Sequence, residues 1–144
     1  MSSWLRDKTV AVSGGMDPIH IGHLRMIQEA RETGLVVVIL NSDEWLMRKK
    51  GFVFMPFEER AEIINAIEGV WFVKKAKDDD GSVCETLKDI HEEFGLTHFA
   101  NGGDRKSDNV PEVKLCEELG IEMIWNIGGG KIQSSSDLVT NSQK

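Results

Sequence analysis

Apolar residues fall in short unbroken runs, and between the runs they recur at helical spacing. The stretch Thr9-Val10-Ala11-Val12 is rich in β-branched residues and bounded by Gly14-Gly15, which predicts a buried strand over 9–13. Apolar residues at 24, 27 and 30 predict a helix over 21–32, closed by Gly34. The run LVVVIL at 35–40 is apolar on both alternating faces, as in a parallel strand covered by helices on each side. The same alternation continues. It predicts a helix over 57–67 with Pro56 near its start and Gly69 at its end, then a strand over 70–73. A helix over 83–94 stopped by Gly95, a strand over 97–100, a helix over 111–119 stopped by Gly120 and a strand over 121–127 follow. A last helix is expected from Ser134 onward. Strand and helix alternating at this spacing indicate a doubly wound α/β domain. No repeat, linker or low-complexity segment interrupts it, so residues 1–144 read as a single domain. The charge run KKAKDDDG at 74–81 reads as a solvated loop.

Candidate chemistry concentrates after the first strand, in SGGMDPIHIGH at 13–23, which holds two of the chain's 4 histidines. Open α/β sheets bind ligands beyond the carboxyl ends of their strands. Gly14 and Gly15 allow backbone to approach a ligand there. His20 and His23 fall at the start of the next helix, where backbone N–H groups and the helix dipole favour an anion. Imidazoles add donors that are cationic or neutral near pH 7, and Gly22 leaves room between them. Together these features predict a phosphate cradle. It is not a P-loop, since no GK[ST] follows, and not GxGxxG. No Cys or carboxylate completes a zinc set with the two histidines, so no protein-held metal is expected.

Charge narrows the partners. The chain carries 17 Lys and Arg against 24 Asp and Glu, a formal net charge of −7. An acidic surface fits neither nucleic acid nor an anionic membrane. No apolar run is long enough to span a bilayer, and no signal-peptide pattern opens the sequence. Cys84 and Cys116 form no metal or redox motif and read as free thiols of a reducing cytoplasm.

The stretch GGMDPIHIGH resembles the GxFDxxHxGH signature of the cytidylyltransferase-like nucleotidyltransferase superfamily. Gly14, Asp17, His20, Gly22 and His23 match, and Met16 stands where phenylalanine is usual. The resemblance covers nearly the whole chain and implies a Rossmann-like, five-stranded parallel sheet of order 3-2-1-4-5. In NSDEWLMRKKGFVFMPFEERAEIINAI it matches the family's phosphate-binding lysines to Lys49 and Lys50, and its proline and helical arginine to Pro56 and Arg60. FANGGD resembles the turn after the fourth strand, which would bring Gly103 and Asp104 near the nucleotide. GGGKIQSSSDLV resembles the C-terminal signature before a helix. Ser134, Ser135 and Ser136 would then meet phosphate, with Lys131 in place of the absent signature arginine. Base selection would rest on backbone near Asn126 and Ile127.

The activity this resemblance implies is transfer of NMP from CTP or ATP to a sugar phosphate or polyol phosphate. The acceptor attacks the α-phosphorus in line and pyrophosphate leaves, with no covalent enzyme intermediate. His20 and His23 would cover the triphosphate, Lys49 or Lys50 would close over it from a mobile loop, and Lys131 would hold the departing pyrophosphate. Mg²⁺ would be bound mainly through substrate phosphates. GFVFMPFEER and NGGD look most like the heptose-phosphate adenylyltransferase and short cytidylyltransferase branch, while DPIH is also similar to nicotinate-mononucleotide adenylyltransferases. Glu68 stands where glycerol-phosphate cytidylyltransferases carry an arginine, which argues against that acceptor. Two other readings stay open: a non-catalytic nucleotide sensor on the same fold, and a class I aminoacyl-tRNA synthetase-like fragment, which shares HIGH. The third strand carries Trp71 and Phe72 side by side, one expected on each face of the sheet. At a sheet edge such an aromatic predicts a homodimer interface.

Overall fold

The computed structural model describes residues 8–77, 82–102 and 111–127. Five strands form one sheet: β1 (Thr9–Gly14), β2 (Leu35–Leu40), β3 (Val70–Lys75), β4 (His98–Gly102) and β5 (Glu122–Ile127). All pairings are parallel and the order is β3-β2-β1-β4-β5, as expected. Successive strands step outward from β1 in one direction, then restart at β4 on its other side. The point where strand order reverses therefore lies between the carboxyl ends of β1 and β4, the place such sheets use for ligands.

Among the described residues there are five helices: α1 (Ile21–Arg31), α2 (Asp43–Lys50), α3 (Phe57–Asn65), α4 (Cys84–Phe94) and α5 (Glu112–Leu119). They sandwich the sheet. Ile27 and Ala30 of α1 and Ile64 of α3 pack with Val10, Val12, Val36, Val38 and Ala100 on one face. Leu87 and Ile90 of α4 and Cys116 of α5 pack with Ala11, Val37, Ile39 and Phe99 on the other. The continuous apolar run of β2 is thus explained by two buried faces. No helix among the described residues is long and apolar enough to cross a membrane. Cys84 and Cys116 form no disulfide, and burial pushes the Cys116 thiol up to about 11.

Three local expectations change. Residues 43–50 form a helix, so Lys49 and Lys50 end a regular element instead of lying on a mobile loop. Its signals are all in the sequence. Ser42 Oγ accepts from Trp45 N at 3.1 Å, Asp43 and Glu44 occupy the first turn, and Arg48, Lys49 and Lys50 the last. Those charges complement the helix dipole, and Gly51 closes the end in left-handed conformation, with φ 85°. Gly34 does not cap α1, which ends earlier with Glu32 as its C-cap. A Cβ on Gly34 would lie 2.3 Å from the Lys8 carbonyl oxygen, so the glycine is needed where β2 begins beside the chain entering β1.

The third change is at the edge strand. In β3 the register slips, so that Val70 pairs with Val36 and Phe72 with Val37. Trp71 is the extra residue of this bulge. Simple alternation fails there, and the Trp71 and Phe72 rings both reach Phe94 of α4, at 5.4 and 4.8 Å between centroids. Trp71 and Phe94 remain 44% and 43% exposed.

Candidate active site

His20 and His23 cap the helix they begin. His20 is the N-cap residue of α1, and its Nδ1 accepts from Gly22 N at 3.0 Å. His23, three residues on, reciprocates: its Nδ1 accepts from His20 N at 3.1 Å. This is the pattern of a capping box, with imidazoles in place of hydroxyl and carboxylate. The amides of His23 and Leu24 bond to the His20 carbonyl. Bare helix-terminal N–H groups were expected to meet the anion directly. Here the Gly22 and His20 amides end on imidazole nitrogens instead.

That arrangement fixes the tautomers. An Nδ1 that accepts carries no proton, so the neutral ring has its proton on Nε2. Among the described residues neither Nε2 has a hydrogen-bond partner. Each ring thus takes a backbone N–H on one side and offers an Nε2–H donor on the other. The rings stack, with centroids 3.9 Å apart and planes 28° from parallel. Two imidazolium charges at that distance would repel. Burial lowers the His20 pKa from its ordinary value. Burial first, then the charges of His20 and Lys50, push His23 down to about 3. Both rings are therefore neutral donors at pH 7, not cations.

Gly22 is required by the capping ring itself. A Cβ there would sit 2.9 Å from His20 Cε1, so the space that the sequence suggested for a ligand is filled by His20. Gly14 closes β1 with ordinary room around it, whereas a Cβ on Gly15 would come within 3.1 Å of Leu46 Cδ2 of α2. Met16 is 3% exposed and joins the α1-side core from a left-handed backbone, with φ 49°.

Two expected nucleotide contacts turn out to hold the scaffold. Asp17 is fully buried, and its carboxylate accepts from the amides of Phe54 and Met55. Arg60 is also fully buried. Its Nε donates to Met55 O at 2.8 Å, and one terminal nitrogen donates to Gly15 O at 2.7 Å and Asn41 O at 2.9 Å. The other meets Asp43 Oδ1 at 2.7 Å. Four acceptors hold this guanidinium between the first turn, the end of β2, α2 and the entry to α3. It braces the site from beneath and presents no free fork to a ligand.

The two lysines part company. Lys50 Nζ donates to the Asp17 carbonyl at 3.2 Å and is the cation that lowers the His23 pKa. Lys49 Nζ instead lies over the Trp45 ring, 5.6 Å from its centroid. The structure therefore brings Lys50 to the histidines and leaves Lys49 on the outer face of α2. Ile127, 5% exposed, packs into the α1-side core, and Asn126 precedes it at the carboxyl end of β5. Gly103, Asp104, Lys131, Ser134, Ser135 and Ser136 lie outside the described residues. Glu68 pairs with Arg31 at 2.9 Å on the surface.

Sequence reasoning missed Asp43 and Asn41. Asp43 Oδ1 accepts from Phe57 N at 2.9 Å as well as from Arg60, so it also anchors the start of α3. Ser42-Asp43-Glu44 ahead of an apolar position was the signal for a helix start that would have located it.

Residues 11–135 match the family model described as cytidylyltransferase-like. The chain is 33% identical over 116 residues to the bifunctional protein HldE of Sulfurimonas denitrificans, covering 78% of this chain and 23% of the relative. It is 30% identical over 128 residues to the HldE of Geobacter sulfurreducens, covering 85% and 25%. The chain thus spans about a quarter of the length of these relatives. Its fold is similar to that of a lipopolysaccharide core biosynthesis protein from Thermoplasma volcanium, with a TM-score of 0.63 at 19% identity, over 83% of this chain and 95% of that one.

Proposed function

We propose that this chain, which belongs to the cytidylyltransferase-like family, is a nucleotidyltransferase that transfers NMP from ATP or CTP to a phosphorylated sugar or polyol, releasing pyrophosphate. The observation that carries this reading is the histidine pair: two Nε2–H donors locked side by side at the start of α1, with the Lys50 ammonium nearby. Such a set suits the oxygens of a triphosphate and the charge that builds on them as the α-phosphorus is attacked. An acceptor phosphate is already ionised at neutral pH, so no general base is needed, and neutral imidazoles that keep their protons fit that requirement. His20 and His23 orient the phosphates and donate to them. Lys50 supplies positive charge, while Arg60 and Asp17 hold the turn that carries the pair. Mg²⁺, when bound with the nucleotide, adds charge neutralisation on the phosphate oxygens. Gly103, Asp104, Lys131 and Ser134 to Ser136 are proposed contacts from the resemblance alone.

A heptose phosphate is the acceptor the sequence resemblance favours, and the HldE relatives add weight to the sugar-phosphate class. Pyrophosphate release should be measured with ATP and with CTP against heptose, hexose and glycerol phosphates and nicotinate mononucleotide. Release that requires nucleotide, Mg²⁺ and one acceptor together is expected. No release above background with any pair would overturn the reading. Trp71 and Phe94, exposed at the β3 edge, further support a homodimer. Light scattering at micromolar concentration should give twice the mass of a 16.1 kDa chain, and Trp71→Glu should halve it.

A further inference from the structure

Near the carboxyl end of β4 stands a buried side chain with an unused donor. Asn101 is 3% exposed, and among the described residues its Nδ2 has no hydrogen-bond partner. Buried donors are nearly always paired, because a desolvated N–H₂ loses the hydrogen bonds that water gave it. The β4–β5 register shifts between Ala100 and Gly102, which pair with Ile124 and Ile127. The extra residue lies in β5, so β4 keeps its own alternation, which sets the side on which this amide stands. Ala100 packs into the α1-side core with Ile124 and Ile127, while Phe99 packs into the core under α4 and α5. Asn101 follows Phe99 by two residues and shares its face. The β1–β4 pairs are Val10 with His98 and Ala11 with Phe99, so Asn101 stands two residues beyond the last of them, toward the carboxyl ends of both strands. That is the strand-reversal point, where β1 runs into the turn bearing the histidines. The histidine pair begins the helix that covers one face of the sheet, and Asn101 follows Phe99 on the other, both at the carboxyl-end side of the β1–β4 pair.

Resting on the nucleotidyl-transfer reading above, we propose that Asn101 is a specificity-determining residue whose Nδ2 donates to a phosphate oxygen of the acceptor. In-line displacement puts entering and leaving groups on opposite sides of the phosphorus. The acceptor oxygen forms its bond to the α-phosphorus as the bond to the bridging oxygen of the β-phosphate breaks. That electron pair departs with pyrophosphate, and no proton need move. Lys50 and the histidines gather on the α1 side, where departing negative charge is best met. The entering phosphate then comes from the α4/α5 side, where Asn101 stands. A carboxamide suits that task. It orients the attacking oxygen without the full positive charge that would blunt its nucleophilicity.

The test compares wild type, Asn101→Asp and Asn101→Ser, using whichever acceptor the pyrophosphate-release panel identifies. Nucleotide affinity is measured separately by calorimetry with ATP or CTP, and folding by the melting temperature. Asn101→Asp keeps the shape but sets a carboxylate against the acceptor phosphate. Its acceptor KM should rise roughly 10- to 100-fold, the scale of a hydrogen bond to a charged group, with nucleotide affinity unchanged. Asn101→Ser, which retains a neutral donor on a shorter arm, should show a smaller rise and covers the case in which the carboxylate prevents folding. An acceptor KM within threefold of wild type in a folded variant would overturn this inference alone. So would a nucleotide affinity that falls in step, or a lowered melting temperature with no change in KM, the mark of an amide that merely holds a buried water. Wild type that binds neither nucleotide would overturn the underlying reading instead.

Discussion

The turn from Gly15 to His23 and the segment from Phe54 to Arg60 lie against each other, and both carry residues that sequence resemblance assigns to the nucleotide. They use their polar groups in opposite directions. In the first, each imidazole takes one backbone amide and leaves an Nε2–H unpartnered among the described residues. In the second, the Arg60 guanidinium turns wholly inward onto three carbonyls and a carboxylate, at 0% side-chain exposure. The difference separates chemistry from scaffold. A ligand can be met only by groups whose hydrogen bonds are incomplete, and those groups hold their aim only because other polar groups are complete.

The sharpest break of that comparison is at Arg60. Arg60→Met would leave the Gly15, Asn41 and Met55 carbonyls without their donor in a buried setting. Stability should fall by about 3 kcal/mol or more, read from chemical denaturation, with activity falling alongside. A variant of normal stability whose nucleotide affinity alone had collapsed would return Arg60 to the ligand. Next in size, His20→Ala and His23→Ala should each lower kcat by roughly 10²-fold, the scale of one preorganised donor, while the fold persists. Near wild-type turnover in either would remove the pair from the chemistry. Between the lysines, Lys50→Ala should lower kcat/KM by roughly tenfold, the scale of one charge-assisted hydrogen bond to phosphate. Lys49→Ala should stay within about twofold, because its ammonium lies over Trp45 outside the site. Equal effects of the two substitutions would mean that both lysines reach the phosphates.

Much of this was legible beforehand. β2 could be placed because an unbroken apolar run has one use in a helix-covered parallel sheet, and strand order followed from the family resemblance. The histidine pair was legible because two of a scarce residue type sat at one helix start. What Gly22, Asp17 and Arg60 do was not legible. Each depends on a partner distant in sequence or on close steric approach: the His20 ring over Gly22, the Phe54 and Met55 amides on Asp17, the Gly15 and Asn41 carbonyls on Arg60. Spacing says that a charge is present, not whether it faces in or out. The bulge at Trp71 was hidden for a similar reason, since register is a property of two strands and neither strand's sequence carries it alone. The helix over 43–50 was missed although its caps and charges were local.

The neutrality of the pair also sets a pH signature. His23 titrates near 3 in the folded chain against an ordinary value of 6.5. Between those values the unfolded chain binds the extra proton, so the contribution of His23 to stability is complete above pH 6.5 and is lost progressively as pH falls toward 3. Denaturation midpoints should therefore drop through that window in wild type, and less steeply in His23→Gln.

The most direct test of the central claim is the protonation state of the two rings, read by ¹⁵N–¹H correlation NMR of the histidine side chains at pH 7, with and without nucleotide and Mg²⁺. Assignment uses the His20→Gln and His23→Gln variants. Two neutral rings protonated at Nε2, with both Nε2–H signals shifting when ATP or CTP is added, are the result this account predicts. Imidazolium rings, rings protonated at Nδ1, or signals indifferent to nucleotide would contradict it.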